Sequence, residues 1–148
     1  MRSIFIAAAA VAAAVSSPAL ANEGRVELRT GIAWVSGVSD ETIGIAAGYD
    51  ADVSENVFVG VEAVADTDFN FVSPTLGVNA RLGTKVMETG RLFALAGYAY
   101  ETQFDFDDAV VGVGFQQEFG TGMLVSLQYQ RYVDTEVNRV AIGLGARF

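Results

Sequence analysis

From Arg25 to Phe148, apolar residues recur at every second position through eight successive segments, and no other feature restricts the fold as strongly. A period of two is the mark of strands with two unlike faces. In the first segment Val26, Leu28, Ile32 and Trp34 share one face, and Glu27, Arg29, Gly31 and Ala33 the other. The second, about Glu41 to Ala51, sets Ile43, Ile45, Ala47 and Tyr49 against Thr42, Gly44, Ala46 and Gly48. Val57, Val59, Val61 and Ala63 oppose Gly60 and Glu62 in the third; Leu76, Val78, Ala80 and Leu82 oppose Gly77, Asn79, Arg81 and Gly83 in the fourth. The sixth opposes Val111, Val113 and Phe115 to Gly112, Gly114, Gln116 and Glu118, and the seventh Val125, Leu127 and Tyr129 to Ser126, Gln128 and Gln130. The eighth ends on Val140, Ile142, Leu144, Ala146 and Phe148 against Arg139, Ala141, Gly143, Gly145 and Arg147. In the fifth, Arg91 to Glu101, Leu92, Ala94, Ala96, Tyr98 and Tyr100 form one face, but Phe93 and Leu95 make the other apolar as well. Its neighbours put Gly97 and Glu101 on the polar face.

Segments start about 14 to 18 residues apart. That leaves a strand of roughly ten residues plus a short connection, the length a tilted strand needs to cross a bilayer. A soluble eight-stranded barrel would show the same period, so the side-chain types decide. Eleven of the sixteen glycines share the face that carries Glu27, Arg29, Glu62, Arg81, Glu118, Arg139 and Arg147. Absent and long charged side chains together suit the lumen of a closed eight-stranded barrel, which side chains just fill. The opposite face is Val, Ile, Leu and Ala, an aggregation hazard in water and a fit to lipid. The expected fold is all-β: an eight-stranded antiparallel up-and-down transmembrane β-barrel, closed so that every backbone polar group finds a partner. The charged residues just named are its candidate lumen ion pairs. Glu27 is expected beside Arg147, and Glu62 beside Arg81.

Residues 1–21 are set apart from this pattern. Arg2, the apolar run from Ile4 to Val15 and Ala19-Leu20-Ala21 have the parts of a cleaved signal peptide, which leaves residues 22–148 as one barrel domain in an exported protein. Composition narrows the chemistry. The chain has no histidine or cysteine, so imidazole bases, cysteine nucleophiles and thiolate metal sites are excluded, and no cofactor is implied. A net charge of −9 argues against nucleic acid as a partner.

Trp34, Tyr98, Tyr100 and Tyr129 fall near one rim on the apolar phase, and Tyr49 and Phe119 near the other, the pattern of two aromatic girdles. With the N-terminus on the periplasmic side, loops near 37–41, 66–73, 102–108 and 133–137 face outward. They hold Asp40, Glu41, Asp66, Asp68, Asp105, Asp107, Asp108, Asp134 and Glu136, and no Lys or Arg. Hard oxygens suit Ca²⁺ or Mg²⁺, but no calcium-loop spacing is present, and solvated loop tips are the preferred reading; no metal site is assigned. Phe69, Phe71, Phe104 and Phe106 are expected to continue their strands' outward phase and to dip into the lipid headgroups.

The pattern resembles the OmpA-like and opacity-type family of small eight-stranded outer-membrane β-barrels of Gram-negative bacteria. Gly143 and the terminal Phe148, with Ile142 and Leu144 in phase, look like the C-terminal signal read by the β-barrel assembly machinery, although Ala141 stands where that signal usually has a polar residue. The resemblance implies an outer-membrane location, contact with outer-membrane lipid and lipopolysaccharide, assembly by that machinery and a monomer.

The reading that follows is a non-enzymatic outer-membrane protein with a side-chain-plugged lumen and a structural, envelope-stabilising or surface-interaction role. A narrow porin-like channel is the alternative. A periplasmic lipocalin-like carrier ranks lower. Lipid-modifying barrels of similar size depend on a histidine absent here, and no base is available to activate Ser126, the one serine firmly inside a strand.

Overall fold

The computed structural model describes residues 22–69, 74–102 and 105–148. The expected export segment lies outside the described residues, as do Phe71 and Phe104. The described residues form eight strands: β1 (Asn22–Val35), β2 (Val38–Asp52), β3 (Val57–Asp68), β4 (Thr75–Lys85), β5 (Gly90–Glu101), β6 (Phe106–Phe119), β7 (Met123–Tyr132) and β8 (Asn138–Arg147). Each pairs antiparallel with the next, and β8 returns to β1 through a ladder from Arg25↔Arg147 to Trp34↔Asn138. The barrel is closed, so no strand edge is left with unpaired backbone groups.

Burial follows the two-residue period. Leu28 and Leu144 on the outer face are 59% and 57% exposed, whereas Glu27, Arg29 and Phe58 on the inner face are at most 2% exposed. The ambiguous fifth segment keeps the same parity. Phe93 and Leu95 turn inward and join Phe58, Ala99 and Val110 in an apolar cluster against which Tyr132 packs, so part of the lumen is apolar.

The strands run further than the sequence suggested, and the connections are correspondingly short. The loop expected near 37–41 is a two-residue hairpin, Ser36-Gly37, with φ of 49° and 86°. Positive φ at both positions is the geometry whose twist matches two paired strands. Asp66 and Asp68, placed in the second loop from sequence, belong to β3; Phe106, Asp107 and Asp108, placed in the third, belong to β6. The termini and the links 53–56, 86–89 and 120–122 lie at one end of the barrel. The Ser36-Gly37 turn and the β7–β8 link, 133–137, lie at the other end, the far mouth.

Several inner glycines lie directly beneath a neighbouring polar side chain. A Cβ on Gly143 would collide with Ser126 Oγ and, at 2.5 Å, with Glu27 Oε2; one on Gly60 would strike the Asp50 carboxylate. At these positions the missing side chain leaves space for a charged or polar neighbour within a narrow cylinder.

Candidate functional site

Midway along the lumen three guanidinium groups meet three carboxylates. Arg25 bonds Glu27 at 2.6 Å and Glu62 at 2.7 Å, with its Nε 3.5 Å from Asp50. Arg29 forks onto both Glu62 oxygens at 3.0 and 2.6 Å and reaches Glu27 at 3.3 Å. Asn79 and Ser126 complete the acceptors' shells, Asn79 donating to Glu62 at 3.3 Å and Ser126 to Glu27 at 2.5 Å. Arg81 contacts Asp50 at 3.2 Å and donates to Gln116 at 3.0 Å, with its guanidinium 3.8 Å from the centre of the Phe93 ring. Charges buried this deeply persist only when paired and hydrogen-bonded, and here the signs balance.

Toward the termini end, Lys85 pairs with Asp52 and Arg91 with Glu23, both at 2.5 Å, and Arg147 pairs with Glu23 and Glu118. Toward the far mouth, Arg139 forks onto Asp66 at 2.5 and 2.8 Å and donates to Thr42 at 3.2 Å.

All seven candidate lumen residues therefore point inward, but both expected pairings are replaced. Glu27 lies opposite Gly145, and Arg147 opposite Arg25, so Arg147 turns to Glu23 and Glu118 while Arg25 takes Glu27. Glu62 faces Asn79 across the β3–β4 ladder, and Arg81 faces Gly60. Glu62 is claimed from the β1 side by Arg25 and Arg29, which leaves Arg81 to Asp50. Sequence reasoning passed over Arg25, Asp50 and Asp66. Arg25 and Asp50 share the inward parity of Arg29 and Gly48, a count that would have found both; Asp66 had been assigned to a loop.

The far mouth is an inward cup of about 270 Å³, lined by Asp40, Asp66, Asp68, Glu101 and Asp108 with Phe106, Tyr132 and Arg139. Phe106 therefore does not continue an outward phase. It pairs with Glu101 and shares the inward parity of Gly112 and Gly114. Phe69 does lie on the outer face. Asp108 accepts hydrogen bonds from the backbone N–H of Asp134 and Thr135, at 2.9 and 3.0 Å, and from the Thr135 hydroxyl at 2.6 Å, tying the β7–β8 link to β6. Among the described residues, no group of three or more carboxylates could hold a metal ion.

Of the candidate girdle, Trp34, Tyr98, Tyr100, Phe119 and Tyr129 are exposed on the outer face and Tyr49 is partly covered. Trp34 and Tyr129 sit 6.5 Å apart, and the Tyr129 hydroxyl donates to Asn138 at 2.7 Å. At the chain's end, Phe148 exchanges backbone hydrogen bonds with Gly24 at 2.8 and 2.9 Å, and its ring is 81% exposed; Gly143 is inside the lumen. Ser126 is buried, and its partner Glu27 is engaged by two guanidinium groups, so the pair has neither the free base nor the access that nucleophilic catalysis needs.

No family model matches the chain, and no curated protein matches it. Solved structures do. The barrel superposes on a de novo designed transmembrane β-barrel with a TM-score of 0.66 and 18% identity, over 85% of this chain and 95% of the other. Neisserial surface protein A gives 0.64 and 10%, over 88% and 98%. Ail, the attachment invasion locus protein of Yersinia pestis, solved with the heparin analogue sucrose octasulfate, gives 0.61 and 14%, over 86% and 97%. At these identities the likeness is one of architecture, and the architecture is that of small eight-stranded transmembrane barrels.

Proposed function

We propose that the chain is a non-enzymatic outer-membrane protein of a Gram-negative bacterium, with a plugged lumen and a structural or surface-interaction role. The observation that carries this reading is the inversion of the usual pattern: Arg25, Arg29, Arg81, Arg139, Glu27 and Glu62 are buried inside the barrel, while valines, leucines and isoleucines cover much of its exterior. That exterior matches acyl chains. A lipocalin-like carrier would turn its apolar face toward the axis. Buried ion pairs near the termini end, in the middle and near the far mouth support a lumen filled by side chains, as expected of eight strands. Gly143 and Phe148 fit recognition by the β-barrel assembly machinery, and the exterior fits contact with outer-membrane lipid and lipopolysaccharide as a monomer.

Surface interaction at the far mouth has its own chemistry. Ail was solved with a polyanion, whereas the mouth of this chain is acidic and suits cationic partners. A second reading, a narrow conducting path, draws on one observation. Arg81 Nε, Gln116 Nε2 and Gln128 Nε2 are buried without a hydrogen-bond acceptor among the described residues, and such donors are commonly met by water. Two experiments test the proposal. Fractionation should place the protein with outer membranes, in a band that migrates differently before and after boiling. Planar-bilayer recordings should show no steady conductance; defined single-channel steps would favour the second reading, and an unshifted band in the soluble fraction would reject both.

A further inference from the structure

The outer face carries a depression beside the far mouth. Spanning β8, β1 and β2, a groove of about 730 Å³ is lined by Thr30, Ile32, Trp34, Val140 and Ile142, with Ser39, Glu41 and Phe69 beside them. The ladders order it by height. Thr30 faces Ile142, Ile32 faces Val140 and Glu41, and Trp34 faces Ser39, so the groove runs from an apolar end to one that combines an indole, a hydroxyl and a carboxylate. The Thr30 hydroxyl is satisfied by the Thr42 carbonyl at 3.2 Å. Glu41 is exposed, and its side chain has no hydrogen bond or ion pair to any described residue.

A carboxylate on the lipid-facing phase calls for a hydrogen-bond donor at headgroup height. We propose that this groove seats a single lipid with a sugar headgroup. Its acyl chain lies along Ile32, Val140 and Ile142, a sugar ring rests on the Trp34 indole, and hydroxyl or amino groups of the sugar donate to Glu41. A bare phosphate headgroup is the poorer fit, because it would bring a second set of anionic acceptors to Glu41. The outward-facing guanidinium that could hold a phosphate, Arg131, is not part of the groove. It lies beyond Asn138 and pairs with Glu136 at 3.4 Å.

This inference rests on the membrane placement proposed above, and its test separates the two. Trp34 is the only tryptophan in the chain, so its emission reports directly on the groove. Purified protein is inserted into phosphatidylcholine vesicles, with insertion verified by the heat-dependent gel shift, and titrated with monoglucosyl diacylglycerol or with phosphatidic acid of the same acyl chains. The sugar lipid should change Trp34 emission saturably. Glu41→Ala should weaken its apparent affinity roughly tenfold, the scale of one hydrogen bond to a charged group. Phosphatidic acid should give only a small, unsaturable drift. Equal responses to the two lipids, a linear response to the sugar lipid, or an unchanged affinity in an inserted Glu41→Ala barrel would overturn the proposal. Failure of the wild-type protein to insert would count against the membrane placement itself. Retention of the sugar lipid by the wild-type barrel, followed by native mass spectrometry, gives a readout that does not depend on fluorescence; full retention by Glu41→Ala in that assay would also reject the site.

Discussion

The middle of the lumen and its far mouth are built from the same residue types and behave as opposites. In the middle, Arg25, Arg29 and Arg81 meet Glu27, Asp50 and Glu62 with their charges balanced. At the mouth, the more exposed Asp40 and Glu101 add acid beside the Arg139–Asp66 pair. The difference lies in access to water. Where side chains are sealed from solvent, an unpaired charge costs several kcal/mol, so pairing is enforced; where water reaches, an excess of one sign costs little. The middle therefore supports stability, and the mouth is where the proposed surface interaction would take place.

Removing a partner from the middle should have the largest effect. Glu62→Ala would leave Arg25, Arg29 and Asn79 without their shared acceptor, and should cost about 3–5 kcal/mol in reversible urea unfolding of the vesicle-inserted barrel. A loss below about 1 kcal/mol would mean that water, rather than the ion pairs, solvates the lumen.

Overfilling the same region should come next. Gly143→Leu drives a side chain against Ser126 and Glu27, and a cost of about 1–3 kcal/mol is expected by the same measurement. At the boundary between the regions, Asp108→Ala removes the acceptor that ties residues 134 and 135 to β6. The expected cost is about 1 kcal/mol, with faster amide exchange confined to Asp134 and Thr135. In the open cup, the double change Asp40→Asn with Glu101→Gln should move stability by less than about 0.5 kcal/mol. A large destabilisation there would erase the contrast between the two regions.

How much of this was legible in the sequence depends on what each feature requires. Which face a residue takes is a parity count along an unbroken strand, and the count placed all seven candidate lumen charges inward. It failed where a strand was cut short. Treating 102–108 as a loop detached Phe106 from the parity of Gly112, and treating 66–73 as a loop hid the Arg139–Asp66 pair. Partner choice was less legible, because it depends on how adjacent strands slide and on the reach of each side chain. Glu27 and Arg147 are on neighbouring strands near the same end, yet the ladder offsets them by two residues and Arg25 stands between. The groove beneath Trp34 was invisible for a similar reason. It is assembled from β1, β2 and β8, and only the register sets Glu41 beside Ile32.

The central claim is that the apolar face meets acyl chains and the charged face meets the axis. Quenching by brominated lipids tests it most directly. In a Trp34→Phe background, Leu28→Trp and Leu144→Trp each place a single reporter on the outer face. Both should be strongly quenched by lipids brominated along the acyl chain and shielded from aqueous iodide. Strong iodide quenching with no response to the brominated lipids would contradict the account and put the apolar face in water.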